Sequence, residues 1–232
     1  MFGFFQCAKS FRTGNDERVL FENATLTFGA RERIAVLAPP GCGKTVLQRL
    51  LAGIEQPTSG AVRAPEQMSW PVGFAGMFHP ALTGEQNIRT LAAMLDAEPD
   101  RTSAFAALFA ELGDLYYRPV QQYSGGMRAR LAFSFSMAVP FPFYVADDII
   151  GTGDEAYRSK CERMMLRRLE DSGLFFTTRS LRLAERFADR FAVVHERRIV
   201  ECGTIAEAKA LLERARDVND EFEMVLAGLS VA

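Results

Sequence analysis

The stretch from Ala38 to Thr45, Ala-Pro-Pro-Gly-Cys-Gly-Lys-Thr, constrains the fold of this 232-residue chain more than any other feature. An apolar run, Ile34–Leu37, precedes it, and a helical pattern, Val46–Ala52, follows it. A glycine-rich turn between a buried strand and a helix directs several backbone N–H groups at one point, where the positive end of the helix dipole also lies. The pattern therefore predicts a phosphate-binding loop.

The residues that would form this loop have distinct roles. Lys44 would reach the terminal phosphates of a nucleotide, and the Thr45 hydroxyl would ligate Mg²⁺. The usual motif has glycine where Ala38 stands, and prolines donate no N–H, so the donors are expected from Gly41 onward. The alternative is a strand–turn–helix that carries Gly-x-Gly-Lys-Thr by chance. The predicted phosphate-binding residues are Pro40, Gly41, Cys42, Gly43, Lys44, Thr45 and Val46.

Composition argues against several classes of protein. With 27 Lys and Arg, 29 Asp and Glu and a formal charge of −2, the chain has no basic excess that would indicate a nucleic-acid partner. The four cysteines lack C-x-x-C spacing, which favours free thiols in a reducing compartment. The apolar segment 131–146 is shorter than the roughly 20 residues of a membrane helix and contains two prolines, so we expect a buried helix and strand there.

The order of predicted elements is that of an α/β protein with a helical insertion. Helical periodicity runs from Gly84 to about Leu112, with a break at Glu98-Pro-Asp100, and a further helix is expected from Arg128 to about Val139. A last helix is predicted at about Ala206–Arg216. The predicted strands lie at 2–9, Val19–Phe28, Glu32–Leu37, Ala61–Arg63, Met68–Trp70, Phe141–Ala146, Leu174–Thr178, Phe191–His195 and Arg198–Glu201.

Two further motifs complete a nucleotide site. The apolar run Phe143–Ala146 ends in Asp147, a carboxylate at the end of a strand and thus a candidate Mg²⁺ ligand beside Thr45. Upstream, Ser124-Gly-Gly126 opens a helix and would form a second anion-binding turn, with Ser124 as cap and Ser124, Gly125 and Gly126 as phosphate donors. Taken alone, each motif is also compatible with an ordinary strand end or a flexible helix start.

In this order, the motifs resemble the nucleotide-binding subunits of ABC transporters over nearly the whole chain. Within that superfamily the chain looks most like the ATP-binding component of capsular polysaccharide exporters, and the form Tyr-Ser-x-Gly-Met-x-x-Arg-Leu is characteristic of that branch. The segments that carry the resemblance are Lys9–Thr13, Phe78–Gly84, Asn87–Arg89, Tyr123–Phe133 and Gly153-Asp154.

The resemblance implies an α/β fold of the P-loop NTPase, ABC type, in a single domain spanning 1–232. A helical subdomain would occupy about 84–138, and an N-terminal antiparallel β subdomain would precede the main sheet. The cofactors would be ATP and Mg²⁺. Two ATP molecules would lie in a homodimer, each between the phosphate loop of one chain and Ser124-Gly125-Gly126 of the other. An integral membrane permease at the cytoplasmic face of the inner membrane would be the partner.

The resemblance also implies roles for three separate residues. Phe11 matches the aromatic residue that stacks on adenine, although a Phe in an early strand is more often part of a core. His79 stands in the place of a glutamine that links Mg²⁺ to the membrane partner, or it is a loop histidine without a ligand. Asp154 resembles the acid that ties one site to the other across the dimer.

Two residues depart from the pattern where water would attack. Asp148 follows the magnesium aspartate at the position of the usual catalytic glutamate, and Arg179 replaces the usual histidine after the next strand. Arg179 would either contact the γ-phosphate, pair with Asp148, or lie in solvent at a helix start. We therefore assign Asp148 and Arg179 as the altered catalytic residues.

Three functions are compatible with these residues. The leading hypothesis is a transport subunit that binds ATP and hydrolyses it slowly. The second is a hydrolysis-deficient assembly or regulatory subunit of such an exporter that dimerises on ATP. The third, a soluble ABC-type protein of translation or DNA repair, is disfavoured because those proteins usually carry tandem cassettes or coiled-coil insertions.

Overall fold

A computed structural model describes residues 1–13, 16–148 and 153–215, and these carry nine strands and seven helices. Residues 14–15, 149–152 and 216–232 lie outside the described residues, and they include the end of the last predicted helix, Arg216. The strands are β1 (Phe2–Thr13), β2 (Asp16–Phe28), β3 (Arg33–Leu37), β4 (Ser59–Arg63), β5 (Pro71–Val72), β6 (Phe143–Asp147), β7 (Gly173–Thr178), β8 (Arg190–His195) and β9 (Arg198–Cys202).

The helices alternate with the strands of the main sheet except for one insertion of three helices. They are α1 (Lys44–Leu51), α2 (Gly84–Met94), α3 (Pro99–Ala110), α4 (Gly125–Ala138), α5 (Glu155–Arg168), α6 (Leu181–Phe187) and α7, which begins at 205 and runs to 215, the last described residue. Short 3₁₀ turns lie at Ala75–Met77, Gly113–Tyr117 and Val120–Gln122.

Two sheets form the framework. The small sheet has the order β2-β1-β4 and is antiparallel, whereas the large one has the order β5-β6-β7-β3-β8-β9 and is parallel except for β9. Strands β3, β6 and β7 consist almost entirely of buried residues, as expected for a parallel sheet that is covered on both faces. Since β7 lies between β3 and β6, the ends of all three strands meet at one edge.

Three hydrophobic cores occupy the spaces between these layers. One lies between the small sheet, α1 and one face of the large sheet; another lies between the opposite face and helices that include α5 and α6. The third belongs to the helical subdomain and packs α2 and α3 against α4. This architecture confirms the predicted α/β class with a helical subdomain and an N-terminal antiparallel β subdomain.

The predicted and observed elements differ at a few boundaries. The strand predicted at Met68–Trp70 is observed instead as the two-residue β5, because the Ser69 hydroxyl accepts the Val145 N–H at 3.0 Å in place of a backbone carbonyl. The segment 131–146 is indeed a helix followed by a strand, and no helix in the described part of the chain is long and apolar enough to cross a membrane.

Polar caps explain where six of the seven described helices begin. In each, the side chain of the residue before the helix accepts a hydrogen bond from a backbone N–H of the first turn, which satisfies one of the donors that a helix start leaves unpaired. Helix α1 differs, because its N-cap is Gly43, which has no side chain to accept. The six capping residues are Thr83, Glu98, Ser124, Asp154, Ser180 and Thr204.

Stacked phenylalanines join the two sheets. The ring of Phe28, at the end of β2, is 5.3 Å from that of Phe143 on β6 and 5.8 Å from that of Phe175 on β7. All three side chains are almost fully buried. The small sheet is therefore anchored to the two strands that flank the predicted magnesium site.

Replacing Phe28 with alanine should lower the free energy of unfolding by about 3–5 kcal/mol, because the substitution leaves a cavity at this junction. The matched control is Phe74→Ala, at a side chain that is 52% exposed, which should cost less than about 1 kcal/mol. Urea unfolding followed by circular dichroism measures both values. Similar losses in the two variants would contradict the assignment of Phe28 to the junction.

Candidate functional site

The glycine loop before α1 has a backbone that only glycine adopts without strain. Gly41 and Gly43 have φ angles of 78° and 79°, in the left-handed region. A Cβ atom on Gly43 would lie 2.8 Å from Cζ of Phe21 on β2, too close for any side chain. These two positions therefore require glycine for conformation and, at Gly43, for space as well.

The beginning of the loop explains why alanine is tolerated at the first motif position. Ala38 is fully buried, and its N–H donates to the Thr178 carbonyl at 3.2 Å, so it extends the pairing of β3 with β7. The turn itself comes later, at Pro40 and Gly41. The departure from the motif at Ala38 thus lies in the strand and leaves the turn unchanged.

The start of α1 is the element that would face a phosphate. The helix begins at Lys44, two residues earlier than the sequence pattern predicts, and the Leu47 N–H donates to the Gly43 carbonyl at 3.0 Å. The backbone N–H groups at the start of the helix precede that bond, and Gly43 has no side chain that could cap them. Such a terminus favours an anion.

Lys44 lies within a cluster of four charged residues. Partial burial lowers the pKa of its ammonium group, and the positive charge of Arg179 also lowers it. The negative charges of Asp148 and Asp147 act in the opposite direction and raise this pKa. The four side chains therefore interact electrostatically, as expected where two strand ends meet a phosphate loop.

Asp147 is held between the phosphate loop and the neighbouring strand. Its Oδ2 accepts from the Thr45 hydroxyl at 3.3 Å, and its Oδ1 accepts from the Thr177 hydroxyl at 2.8 Å. Residues 147 and 177 are direct partners in the parallel register of β6 with β7. The structure thus brings together the two side chains that the sequence predicts as magnesium ligands.

These residues fit Mg²⁺ of the kind that accompanies a nucleotide. Mg²⁺ is usually bound by one or two carboxylates together with phosphates and waters, and does not need a closed protein cage. Within residues 1–13, 16–148 and 153–215 there is no cluster of three or more His, Cys, Asp or Glu side chains that could hold a metal alone. Thr45 and Asp147 would supply the protein's share of such a site.

Asp148 and Arg179 contact each other directly. Asp148 Oδ1 accepts from the Thr178 hydroxyl at 2.7 Å and from the Arg179 N–H at 3.2 Å, and Oδ2 is 3.9 Å from Arg179 Nε. Asp148 also has a φ angle of 40°, which is uncommon for a residue other than glycine. Of the alternatives considered for Arg179, the structure shows the pairing with Asp148.

Phe11 is a surface residue of β1 rather than part of a core. Its side chain is 38% exposed, and the Lys9 ammonium lies 4.7 Å from the centre of its ring. Lys9 is in turn fixed by the Glu55 carboxylate at 3.0 Å and by the Gln56 carbonyl at 2.8 Å. An exposed ring backed by a fixed cation is compatible with stacking on a base, and that role stays a prediction.

His79 belongs to the turn before α2. Its N–H donates to Asn87 Oδ1 at 2.7 Å, and its ring Nδ1 accepts from the Ala81 N–H at 3.3 Å. The residue is exposed, and these hydrogen bonds join it to its own turn and to Asn87 of α2. A link from His79 to Mg²⁺ therefore stays a prediction.

The second anion-binding turn lies at the start of α4 and is open to solvent. Ser124 is exposed and its Oγ accepts from the Met127 N–H at 3.2 Å, which leaves its hydroxyl proton available to a ligand. A Cβ on Gly125 would meet nothing within 4 Å. Ser124 bonds the N–H groups of Met127 and Arg128, and among the described residues no hydrogen bond joins this turn to the loop at Gly41–Thr45 of the same chain.

Asp154 caps α5 and faces the helix that follows this turn. Its Oδ1 accepts from the Tyr157 N–H at 2.8 Å, and its Oδ2 is 3.6 Å from Arg130 Nη2. The backbone hydrogen bond from Tyr157 is the main reason that the pKa of Asp154 is lowered. The predicted contact across a dimer would have to use the remaining exposed part of this carboxylate.

Sequence reasoning missed three side chains around the site. Arg18 on β2 donates to the Gly41 carbonyl at 3.3 Å, while Gln48 and Thr177 are buried beside Asp147. The signals available were weak: Gln48 is a polar residue on the apolar side of α1, and Thr177 is a hydroxyl at the end of an apolar strand. Only the pairing of the elements reveals that they adjoin the site.

Comparison with known proteins agrees with this geometry. The ABC transporter family matches residues 21–150. The ATP-binding protein BexA of Haemophilus influenzae is 35% identical over 80% of this chain and 86% of its own length. The polysialic acid transport ATP-binding protein KpsT of Escherichia coli is 36% identical over 78% of this chain and 84% of its own length. The capsule polysaccharide export ATP-binding protein CtrD of Neisseria meningitidis serogroup B is 33% identical over 82% of this chain and 88% of its own length.

Solved structures give the same fold at lower identity. The post-hydrolysis dimer of the ATP-binding cassette MJ0796, bound to ADP and Pi, has a TM-score of 0.73 and 16% identity, and the match covers 86% of this chain and 96% of that one. A second dimeric structure of MJ0796, described as a bacterial ABC transporter cassette, has a TM-score of 0.69 over the same shares. With the matched family region, these relatives and the assembled loop, the chain belongs to the ABC transporter family and is related to the ATP-binding proteins of capsular polysaccharide export.

Proposed function

We propose that this protein is the ATP-binding subunit of an ABC exporter that moves capsular or other surface polysaccharide across the inner membrane. The relatives support this proposal, since they include a capsule polysaccharide export protein, a polysialic acid transport protein and O-antigen export proteins. Such a subunit acts at the cytoplasmic face of the membrane, next to a permease that holds the substrate.

The observation that carries the proposal is the convergence of Lys44, Thr45 and Asp147 at one edge of the parallel sheet. The ammonium group and the hydroxyl come from the first turn of α1 and the carboxylate from the end of β6. Thr45 and Asp147 are within hydrogen-bond distance. This arrangement offers a cation and backbone donors to the phosphates of ATP and oxygen ligands to Mg²⁺.

A complete site in this proposal needs a second copy of the chain. Ser124, Gly125 and Gly126 are exposed, and their donors would close over the nucleotide bound at the phosphate loop of a partner. The dimeric MJ0796 cassettes share the fold and support this arrangement. ATP would then act as the contact between two chains, with Phe11 beneath the adenine ring.

Hydrolysis by this site is proposed to be slow. The Asp148 carboxylate is shorter than glutamate, and its oxygens are already occupied by Thr178 and Arg179. A base that accepts these hydrogen bonds is less available to orient water, and a displacement of roughly 1 Å can reduce a rate about 10²-fold. Lys44 and Mg²⁺ would still stabilise charge on the transferred phosphoryl group. The second candidate is a hydrolysis-deficient subunit that only assembles on ATP, and the same contacts favour it.

The permease would dock on the helical subdomain and the loop that precedes it. Among the described residues, six of the ten exposed large apolar side chains lie between 74 and 117. Such a concentration of apolar surface is typical of an interaction site. The six are Phe74, Met94, Leu95, Leu108, Leu115 and Tyr117.

Lys44→Ala should weaken the binding of Mg²⁺–ATP by about 10- to 100-fold, because a charged hydrogen bond to phosphate contributes about 1.5–3 kcal/mol. Isothermal titration calorimetry on the purified protein measures this. The control is Lys160→Ala, a lysine that pairs with Glu111 on the surface of the helical region. Equal affinity of wild type and Lys44→Ala would contradict the phosphate-site assignment.

Asp148→Glu should raise ATP turnover by about 10- to 100-fold, since the longer side chain reaches roughly 1 Å further toward water. Phosphate release is measured with and without the membrane partner, and the rate of the Lys44→Ala variant serves as the background in both conditions. If Asp148→Asn leaves the wild-type rate unchanged, then Asp148 is not the base. If neither wild type nor Asp148→Glu releases phosphate while ATP still induces dimers, the hydrolysis-deficient function is the correct one.

Phe74→Glu should reduce recovery of the permease with the tagged subunit, because it places a charge in the proposed apolar contact. Nucleotide affinity should stay at the wild-type value. Val200→Glu is the control, since Val200 is a comparably accessible apolar side chain on β9. Undiminished recovery with Phe74→Glu would exclude this loop from the interface.

A further inference from the structure

A chain of buried polar groups runs from α1 to the predicted magnesium aspartate. Gln48 is 2% exposed and Thr177 is fully buried. Gln48 Nε2 donates to the Thr177 hydroxyl at 2.6 Å and to the Ala146 carbonyl at 2.9 Å, and Thr177 donates to Asp147 Oδ1 at 2.8 Å. Helix α1 and strands β6 and β7 are thus linked by side chains behind the site.

The direction of each hydrogen bond in this chain follows from the available protons. The Gln48 amide nitrogen can only donate, and its two acceptors are the Ala146 carbonyl and the Thr177 oxygen. Because the Thr177 oxygen accepts a hydrogen bond from Gln48, its single hydroxyl hydrogen is directed at Asp147. An ionised carboxylate can only accept, so the chain ends correctly at Asp147.

Packing alone does not require polar residues at these positions. Gln48 lies on the buried side of α1, with Leu47, Leu50 and Leu51, and Thr177 follows the apolar residues of β7. Apolar residues of similar size would fill the same space without the cost of burying an amide and a hydroxyl. The buried polar pair is therefore most simply explained by what it does to the carboxylate.

We propose that Gln48 and Thr177 are positioning residues that fix the Asp147 carboxylate for Mg²⁺. The inference rests on the proposed function, in which Asp147 and Thr45 take part in binding Mg²⁺–ATP. With Oδ1 held by Thr177, Oδ2 is turned toward the Thr45 hydroxyl and the phosphate loop. Groups that orient a metal ligand from behind usually change metal affinity by about 10- to 100-fold when they are removed.

The neighbouring residue supplies a matched control. Thr178 is also fully buried at the end of β7, but its hydroxyl donates to Asp148 instead of Asp147. Thr177→Val and Thr178→Val thus remove the same group from adjacent buried positions. Only Thr177→Val disconnects the proposed metal ligand.

The test measures the affinity for Mn²⁺, a paramagnetic substitute for Mg²⁺, by electron paramagnetic resonance in the presence of a non-hydrolysable ATP analogue. Thr177→Val should weaken Mn²⁺ binding by about 10- to 100-fold. Thr177→Ser keeps the hydroxyl and should retain the wild-type affinity, as should Thr178→Val. Binding of the analogue without metal should be unchanged in all variants.

The double variant Gln48→Leu/Thr177→Val separates positioning from stability. It removes both hydrogen-bonding partners together, so neither is left buried and unpaired. Its free energy of unfolding should therefore be higher than that of Gln48→Leu or Thr177→Val alone. Mn²⁺ affinity should stay low, because the carboxylate is still unsupported.

Two results would overturn the inference while leaving the proposed function intact. One is wild-type Mn²⁺ affinity in Thr177→Val, and the other is recovery of Mn²⁺ affinity together with stability in the double variant. Failure of the wild-type protein to bind Mn²⁺ with the analogue would instead overturn the proposed function, and the inference with it.

Discussion

The parallel pairing of β7 with both β3 and β6 is the constraint on which the rest of the structure depends. It brings the end of β3, where the glycine loop begins, within one strand of Asp147 at the end of β6. The left-handed glycines then turn the chain so that α1 starts directly over this edge. Because both sides of the sheet are covered, the strand ends are the place where polar groups collect.

The same edge accounts for the different surroundings of two consecutive aspartates, Asp147 and Asp148. Thr177 and Thr178 follow one another on β7, and each donates to one of two consecutive aspartates. Successive residues of a strand face opposite sides, so Thr177 and Thr178 reach different aspartates. Asp147 is turned toward Thr45, whereas Asp148 is paired with Arg179. In the proposed function, Asp147 would serve nucleotide binding and Asp148 the attack by water, so the two roles fall to carboxylates with different partners.

Much of the fold could be predicted because its signals are local. The apolar strands, the helical periodicity and the caps at Thr83 and Ser124 each arise from residues close together in the chain. The strand predicted at Met68–Trp70 shows the limit of such local signals, because the Ser69 hydroxyl there accepts the hydrogen bond that a backbone carbonyl would accept in a strand. The predicted start of α1 is two residues too late, because the phosphate motif places Lys44 and Thr45 in the loop, whereas both residues are helical.

The sequence by itself determined the phosphate loop, the candidate magnesium ligands and the two altered residues, because each is defined by residue type and by spacing along the chain. Only the tertiary structure decided that Arg179 pairs with Asp148, that Phe11 is a surface residue, and that Gln48 and Thr177 support Asp147. These contacts join residues far apart in the chain, for example 129 positions between Gln48 and Thr177. Their geometry follows from the strand order, which no local pattern specifies.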